Sequence, residues 1–230
     1  MRLAVTFLFC VVAPLASVHA QAVDPNLMRE VTAVRAEVAR SNAALRGYTW
    51  TEHTDVLVKG DVKSSSEMIC RYDASGSLTK TPLGNSQTKR ANPASNRPSV
   101  RKKADMQDYI KRATNRIHEY VPPKPEQIQH LLENGGASLM NSASGQSEIQ
   151  FKDYFQTGDS VVFTYDSASK RLLKAAITSD LGSPKDPVTL EALFEPLPDG
   201  VNHLASANLS APARKVEVKM RNIDYNKAQN

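Results

Sequence analysis

The sequence predicts an α+β fold: one large curved antiparallel sheet, unclosed like half a barrel, with an N-terminal helix and internal helices over its concave face. Three observations lead there. Apolar residues recur at helical spacing just after residue 24. Period-two alternation then takes over and dominates the second half of the chain, with only a short helical interlude before it. The third is a magnitude. Ten strands at ~4.8 Å spacing make a sheet roughly 45 Å wide, whereas a helix with its side chains covers ~10–12 Å. Two or three helices cannot cover such a face laid flat, so the sheet must curl around them or leave an apolar groove. A two-sheet sandwich is the competing arrangement.

The first twenty residues read as an export signal. Met1-Arg2 is a short basic start, Leu3 to Val12 is almost wholly apolar, and Val18-His19-Ala20 places small residues where a signal peptidase needs them. The apolar run is too short to span ~30 Å of bilayer. Cleavage is expected after Ala20, leaving residues 21–230 as a single β-rich domain. Cys10 departs with the signal and Cys70 remains alone, so no intramolecular disulfide is possible. That usage fits a bacterial periplasm better than a small disulfide-stapled secreted domain.

The elements follow in order. Asp24 caps a helix with Pro25 in its first turn. Leu27, Val31, Val34, Val38 and Leu45 form its apolar stripe, and Gly47 ends it. Tyr48–Val58, Val62–Tyr72 and Ser77–Leu83 read as a three-stranded meander, turning at Lys59-Gly60-Asp61 and Asp73–Gly76. Gly84 to Lys103 lacks apolar periodicity and is expected to be a mobile basic loop. Helical spacing returns at Met106, Tyr109, Ile110, Ala113, Ile117 and Tyr120, and a short helix follows from Pro125. Seven further strands are expected from Ala137 onward, the second over Gln146–Phe155 and the last with Val216, Val218 and Met220 alternating against Lys215, Glu217, Lys219 and Arg221.

This order resembles the outer-membrane lipoprotein carrier superfamily of the bacterial periplasm. The resemblance rests on the signal peptide, the amphipathic helix Pro25–Arg46, the strand pair opening Tyr48-Thr49-Trp50 and turning at Val58-Lys59-Gly60, the internal helices and the long C-terminal meander. Tyr72-Asp73-Ala74-Ser75-Gly76-Ser77-Leu78 and Leu197-Pro198-Asp199-Gly200 also look like segments of uncharacterised exported bacterial proteins. It implies an unclosed barrel lidded by helices, whose apolar interior receives acyl chains. The basic stretch 84–103 departs from the carriers' pattern, and none of their functional lid residues can be placed on this chain.

Side chains expected to face inward are Trp50, Tyr72, Phe163, Tyr165, Leu190 and Phe194. They either pack a core or line an apolar cavity, and a cavity of this kind is a core left partly unfilled. Between residues 80 and 116, ten basic side chains meet only Asp105 and Asp108. The basic surface candidates are Lys89, Arg90, Arg97, Arg101, Lys102 and Lys103. They are either a solvated face or an attraction for anionic headgroups or an acidic partner. Nucleic acid is not expected as a partner, because no aromatic residue is interleaved with these charges for stacking.

Chemistry is sparse. His53, His118, His130 and His203 lack the close spacing of a metal pair, and neither a Gly-x-Ser-x-Gly elbow nor a phosphate loop is present. No catalytic residue, metal site or cofactor is expected. The expected function is that of an exported carrier or binding protein for an apolar or acylated ligand. The alternative is a non-enzymatic cell-envelope interaction module with a fully packed core.

Overall fold

The computed structural model describes residues 24–84, 97–141 and 144–227. The first element is α1 (Pro25–Leu45). Asp24 caps it, its side chain accepting from the Asn26 N–H at 2.8 Å. Leu27, Val31, Val34 and Leu45 turn inward and are buried. A reversed chain then builds β1 (Tyr48–Val58), β2 (Asp61–Tyr72) and β3 (Leu78–Pro82). Lys59 and Gly60 both take positive φ, at 59° and 85°, the backbone a tight two-residue hairpin requires. Asp73 organises the next turn by accepting from the N–H groups of Ser75 and Ser77.

Two helices come next, α2 (Arg97–His118) and α3 (Pro125–Glu133). Seven strands complete the chain: β4 (Ala137–Asn141), β5 (Gln146–Lys152), β6 (Ser160–Asp166), β7 (Leu172–Asp180), β8 (Pro187–Pro196), β9 (Asn202–Ala211) and β10 (Val216–Lys227). All ten strands form one antiparallel sheet in the order β3-β2-β1-β10-β9-β8-β7-β6-β5-β4. The end strands β3 and β4 do not pair with each other, so the sheet stays unclosed. A single sheet excludes the two-sheet sandwich.

The helices lie on the concave face, α1 against β9, α2 against β7 and β8, and α3 against β5. The opposite face is polar, and His53 there sits 3.1 Å from Asp55 and 3.2 Å from Glu67.

Two boundaries differ from the sequence reading by more than two residues. Arg97–Lys103 belongs to α2 and not to the loop, because the helix begins nine residues before the apolar stripe does, on a stretch whose polar residues carry no periodic signal. Residues 85–96, including Lys89 and Arg90, lie outside the described residues. The strand read as Gln146–Phe155 ends at Lys152, where Asp153 takes a positive φ of 52° and turns the chain.

Candidate functional site

A cavity of about 640 Å³ lies between the concave face and the helices, with thirty residues on its wall. That volume is within the roughly 300–1,000 Å³ of small-molecule sites. Its origin is visible in the strand register. One row of side chains crosses the sheet as Ile149, Phe163, Ala175, Ala192, Ala207 and Met220 on six successive strands. The next row on the same face runs Phe151, Val161, Ile177, Leu190, Leu209 and Val218. At the centre of the first row, three strands in succession present alanine where the second row presents Ile, Leu and Leu. The alanines leave a trough in the middle of the sheet, and Val31, Val34 and Val38 of α1 roof it from above.

The wall is almost entirely apolar and contains no aspartate or glutamate. Most of its polar members are at the opening. The wall residues that are themselves exposed are Arg35, Ala39 and Asn42 on one flank of α1, His118 at the end of α2, and Val121, Pro122 and Pro125 beyond it. The mouth therefore lies between α1 and the connection from α2 to α3. Val121 is 46% exposed there, an apolar side chain facing water at the entrance.

Four tyrosine–carboxylate contacts hold the structure around this space. Tyr165 donates to Glu30 of α1 at 2.8 Å, and Lys170 reaches the same oxygen at 2.7 Å. Burial works to raise the Glu30 pKa, but the hydrogen bonds from Lys170 and Tyr165 outweigh it and hold the carboxyl below its usual range. Tyr109 of α2 donates to Asp186 at 2.6 Å. Tyr120 donates to the buried Asp159 at 2.5 Å and also lies 2.8 Å from the Ser179 hydroxyl. Tyr48 donates to Asp199 at 2.5 Å, tying β1 to the loop between β8 and β9. Burial, reinforced by the carboxylate, pushes the hydroxyls of Tyr109 and Tyr165 up to about 12, and Tyr120 shifts the same way. These tyrosines stay protonated donors under all physiological conditions.

The six inward-facing candidates divide. Phe163, Leu190 and Phe194 lie on the cavity wall, and Trp50, Tyr72 and Tyr165 do not. Tyr165 is fully buried beneath α1 with its hydroxyl on Glu30. Trp50 stacks on Tyr225 at 5.4 Å between centroids and meets Tyr72 at 5.8 Å; His203 packs edge-on to Tyr225 at 4.3 Å. These contacts bring side chains of β1, β2, β9 and β10 into one aromatic group. Alternation reveals which face a side chain occupies, but not its position along the groove. The α1 residues of the mouth escaped the sequence reading because an exposed Arg, Ala and Asn carry no periodic signal. Their i, i+4, i+7 spacing beside the valine stripe was the available clue.

Of the basic surface candidates, Arg101, Lys102 and Lys103 are exposed on α2. Cys70 is fully buried and free, and burial raises its thiol pKa, as befits an inert core residue. Among the described residues no group of three or more His, Cys, Asp or Glu is placed to hold a metal ion, and no helix is long and apolar enough to cross a membrane.

No protein-family model matches the sequence, and no curated protein matches it. Two solved structures are similar to it along most of the chain. One is a DUF1329 family protein from Desulfovibrio piger, with TM-score 0.38 and 9% identity, covering 86% of this chain and 93% of that one. The other is a LolA superfamily protein from Nitrosomonas europaea, with TM-score 0.40 and 8% identity, covering 86% of this chain and 94% of that one. Both likenesses are at low identity and say nothing of a ligand.

Proposed function

We propose that this protein is an exported, non-enzymatic carrier or binding protein for an acylated or otherwise apolar ligand, which it holds in the trough between sheet and helices. One observation carries the reading: a cavity of about 640 Å³ whose wall is apolar, without a carboxylate, and opens at one end. Water in such a space makes few hydrogen bonds, whereas an alkyl chain gains ~0.8 kcal/mol per buried methylene. A chain of twelve methylenes would contribute roughly 10 kcal/mol before the cost of association. The competing reading, a packed interaction module, requires a filled interior, and the alanine row works against it.

Native mass spectrometry of gently purified protein, followed by solvent extraction, tests the proposal. A co-purifying acyl species is expected, together with saturable uptake of a fluorescent alkyl probe after the protein is stripped. Folded protein that carries no lipid and takes up no probe would refute it.

A further inference from the structure

The wall of the cavity holds one permanently charged side chain, Arg35, and no opposing carboxylate. The other polar wall residues near the mouth are Asn42, Thr114 and His118, and the Tyr120 hydroxyl is already spent on Asp159. We propose that the ligand is an amphiphile with an oxyanion head, a carboxylate or phosphate at the end of an alkyl chain, and that Arg35 receives that head at the mouth. This rests on the carrier reading above and specifies its ligand.

The other charges of α1 set Arg35 apart. Arg29 donates to Asn26, and Arg40 is held by both oxygens of Glu37. The two acids of the helix are both engaged, Glu30 with Tyr165 and Lys170 and Glu37 with Arg40. Arg35 has no hydrogen bond or ion pair among the described residues. It lies on the flank of the helix that borders the opening, one turn before Ala39 and two before Asn42. A ligand whose tail fills the trough leaves its head at this rim, because the interior offers nothing to satisfy a charge. A guanidinium suits that position, since its planar fork can donate two parallel hydrogen bonds to one carboxylate or phosphate.

The test compares palmitate with its methyl ester, which have the same tail and differ in charge. Each is titrated against a neutral fluorescent alkyl probe bound to stripped protein at low salt. Palmitate is expected to displace the probe at about tenfold lower concentration than the ester, the size of one charge-assisted hydrogen bond. Arg35→Gln should remove that difference by weakening the acid about tenfold more than the ester, with thermal stability unchanged because Arg35 is exposed and makes no hydrogen bond or ion pair among the described residues. Arg35→Lys should restore part of it. Equal affinity for acid and ester in the wild type overturns the assignment of the head and leaves the carrier reading standing. Equal loss of both ligands in Arg35→Gln overturns it too. If the stripped protein takes up no probe and binds neither compound, the carrier reading falls along with it.

Discussion

Ala192 is the central alanine of the row, flanked by Ala175 and Ala207 on the neighbouring strands and 6% exposed on the cavity wall. Ala192→Leu adds three carbons. If the space above it is a cavity, those carbons are buried without displacing anything. At ~0.8 kcal/mol per methylene the folded state gains roughly 2 kcal/mol. If the space is packed, the same change overfills it and costs about 1–3 kcal/mol. The sign alone therefore separates the two interiors. Ala211→Leu is the internal control. Ala211 is fully buried on the same face of β9 but off the cavity wall, so it should lose stability. Urea unfolding of the stripped proteins measures both, and at a slope of ~2 kcal/mol per molar the expected midpoint shifts are about 1 M in opposite directions. Stripping matters because a bound ligand stabilises the wild type by mass action and would mask the gain in a variant that cannot bind it. Acyl-probe uptake should fall sharply in Ala192→Leu. A variant destabilised like Ala211→Leu, with unchanged secondary structure, would show that the trough is filled and would remove the basis of the carrier proposal.

Other outcomes follow from the same geometry. Tyr120→Phe deprives the buried Asp159 of its hydroxyl donor, leaving the Phe155 and Gln156 N–H groups as its partners, and should cost ~1.5–3 kcal/mol in urea unfolding; a change below about 0.5 kcal/mol would show the contact to be dispensable. His203 is buried, its Nδ1 has no hydrogen-bond partner among the described residues, and desolvation depresses its pKa despite the nearby Glu195. Below about pH 6.5 the unfolded chain binds a proton that the folded chain refuses, so stability should fall as pH drops from there toward the depressed value. His203→Phe, which keeps a ring against Tyr225, should flatten that part of the melting-temperature profile, and an unaltered slope would place the titration elsewhere. The intact mass of the exported protein should correspond to Gln21–Asn230, and a retained N-terminus would refute cleavage after Ala20.

Much of the fold was legible because its signals are local. The period changes at Gly47 and again near Gly136 mark the passage from helix to strand and back to strand. Turn residues such as Lys59-Gly60 and Pro198-Asp199-Gly200 delimit the strands between them. The width argument then requires a curved sheet, since it compares strand count with helix count and needs no register. The cavity itself could not be read. Ala175, Ala192 and Ala207 lie in three separate strands, and only the pairing of Ala175 with Ala192 and of Ala192 with Ala207 turns three unremarkable alanines into one trough. The same non-locality hid the setting of Trp50 and Tyr72. Trp50 stacks on Tyr225, which β10 brings alongside β1 from 175 residues away, and Tyr72 meets Trp50 from β2. Arg35 showed only its place beside the valine stripe until the mouth was defined by the elements on its two sides.

On the carrier reading proposed above, the anchors around the cavity also decide how a ligand would enter. The N-terminal half of α1 is held at Glu30 by Tyr165 and Lys170, and further along Ser41 accepts from the Asn202 N–H. At α2, Tyr109 bonds Asp186 and Arg116 donates to the Asp180 carbonyl and to Gln156. Lifting either helix breaks two or three hydrogen bonds to charged groups, at ~1.5–3 kcal/mol each, before any apolar contact is counted. Between those anchors, the side chains of Arg35, Asn42 and His118 have no hydrogen-bond or ionic partner among the described residues, and their rotation costs on the order of 1 kcal/mol or less. The cheaper route into the trough is therefore past mobile side chains at a mouth that already exists, with the helices in place. Amide exchange in α1 and α2 should stay at its ligand-free rate or slow down during acyl uptake. Faster exchange in either helix while the chain is being taken up would show that the lid lifts, and that the anchors are weaker than their geometry implies.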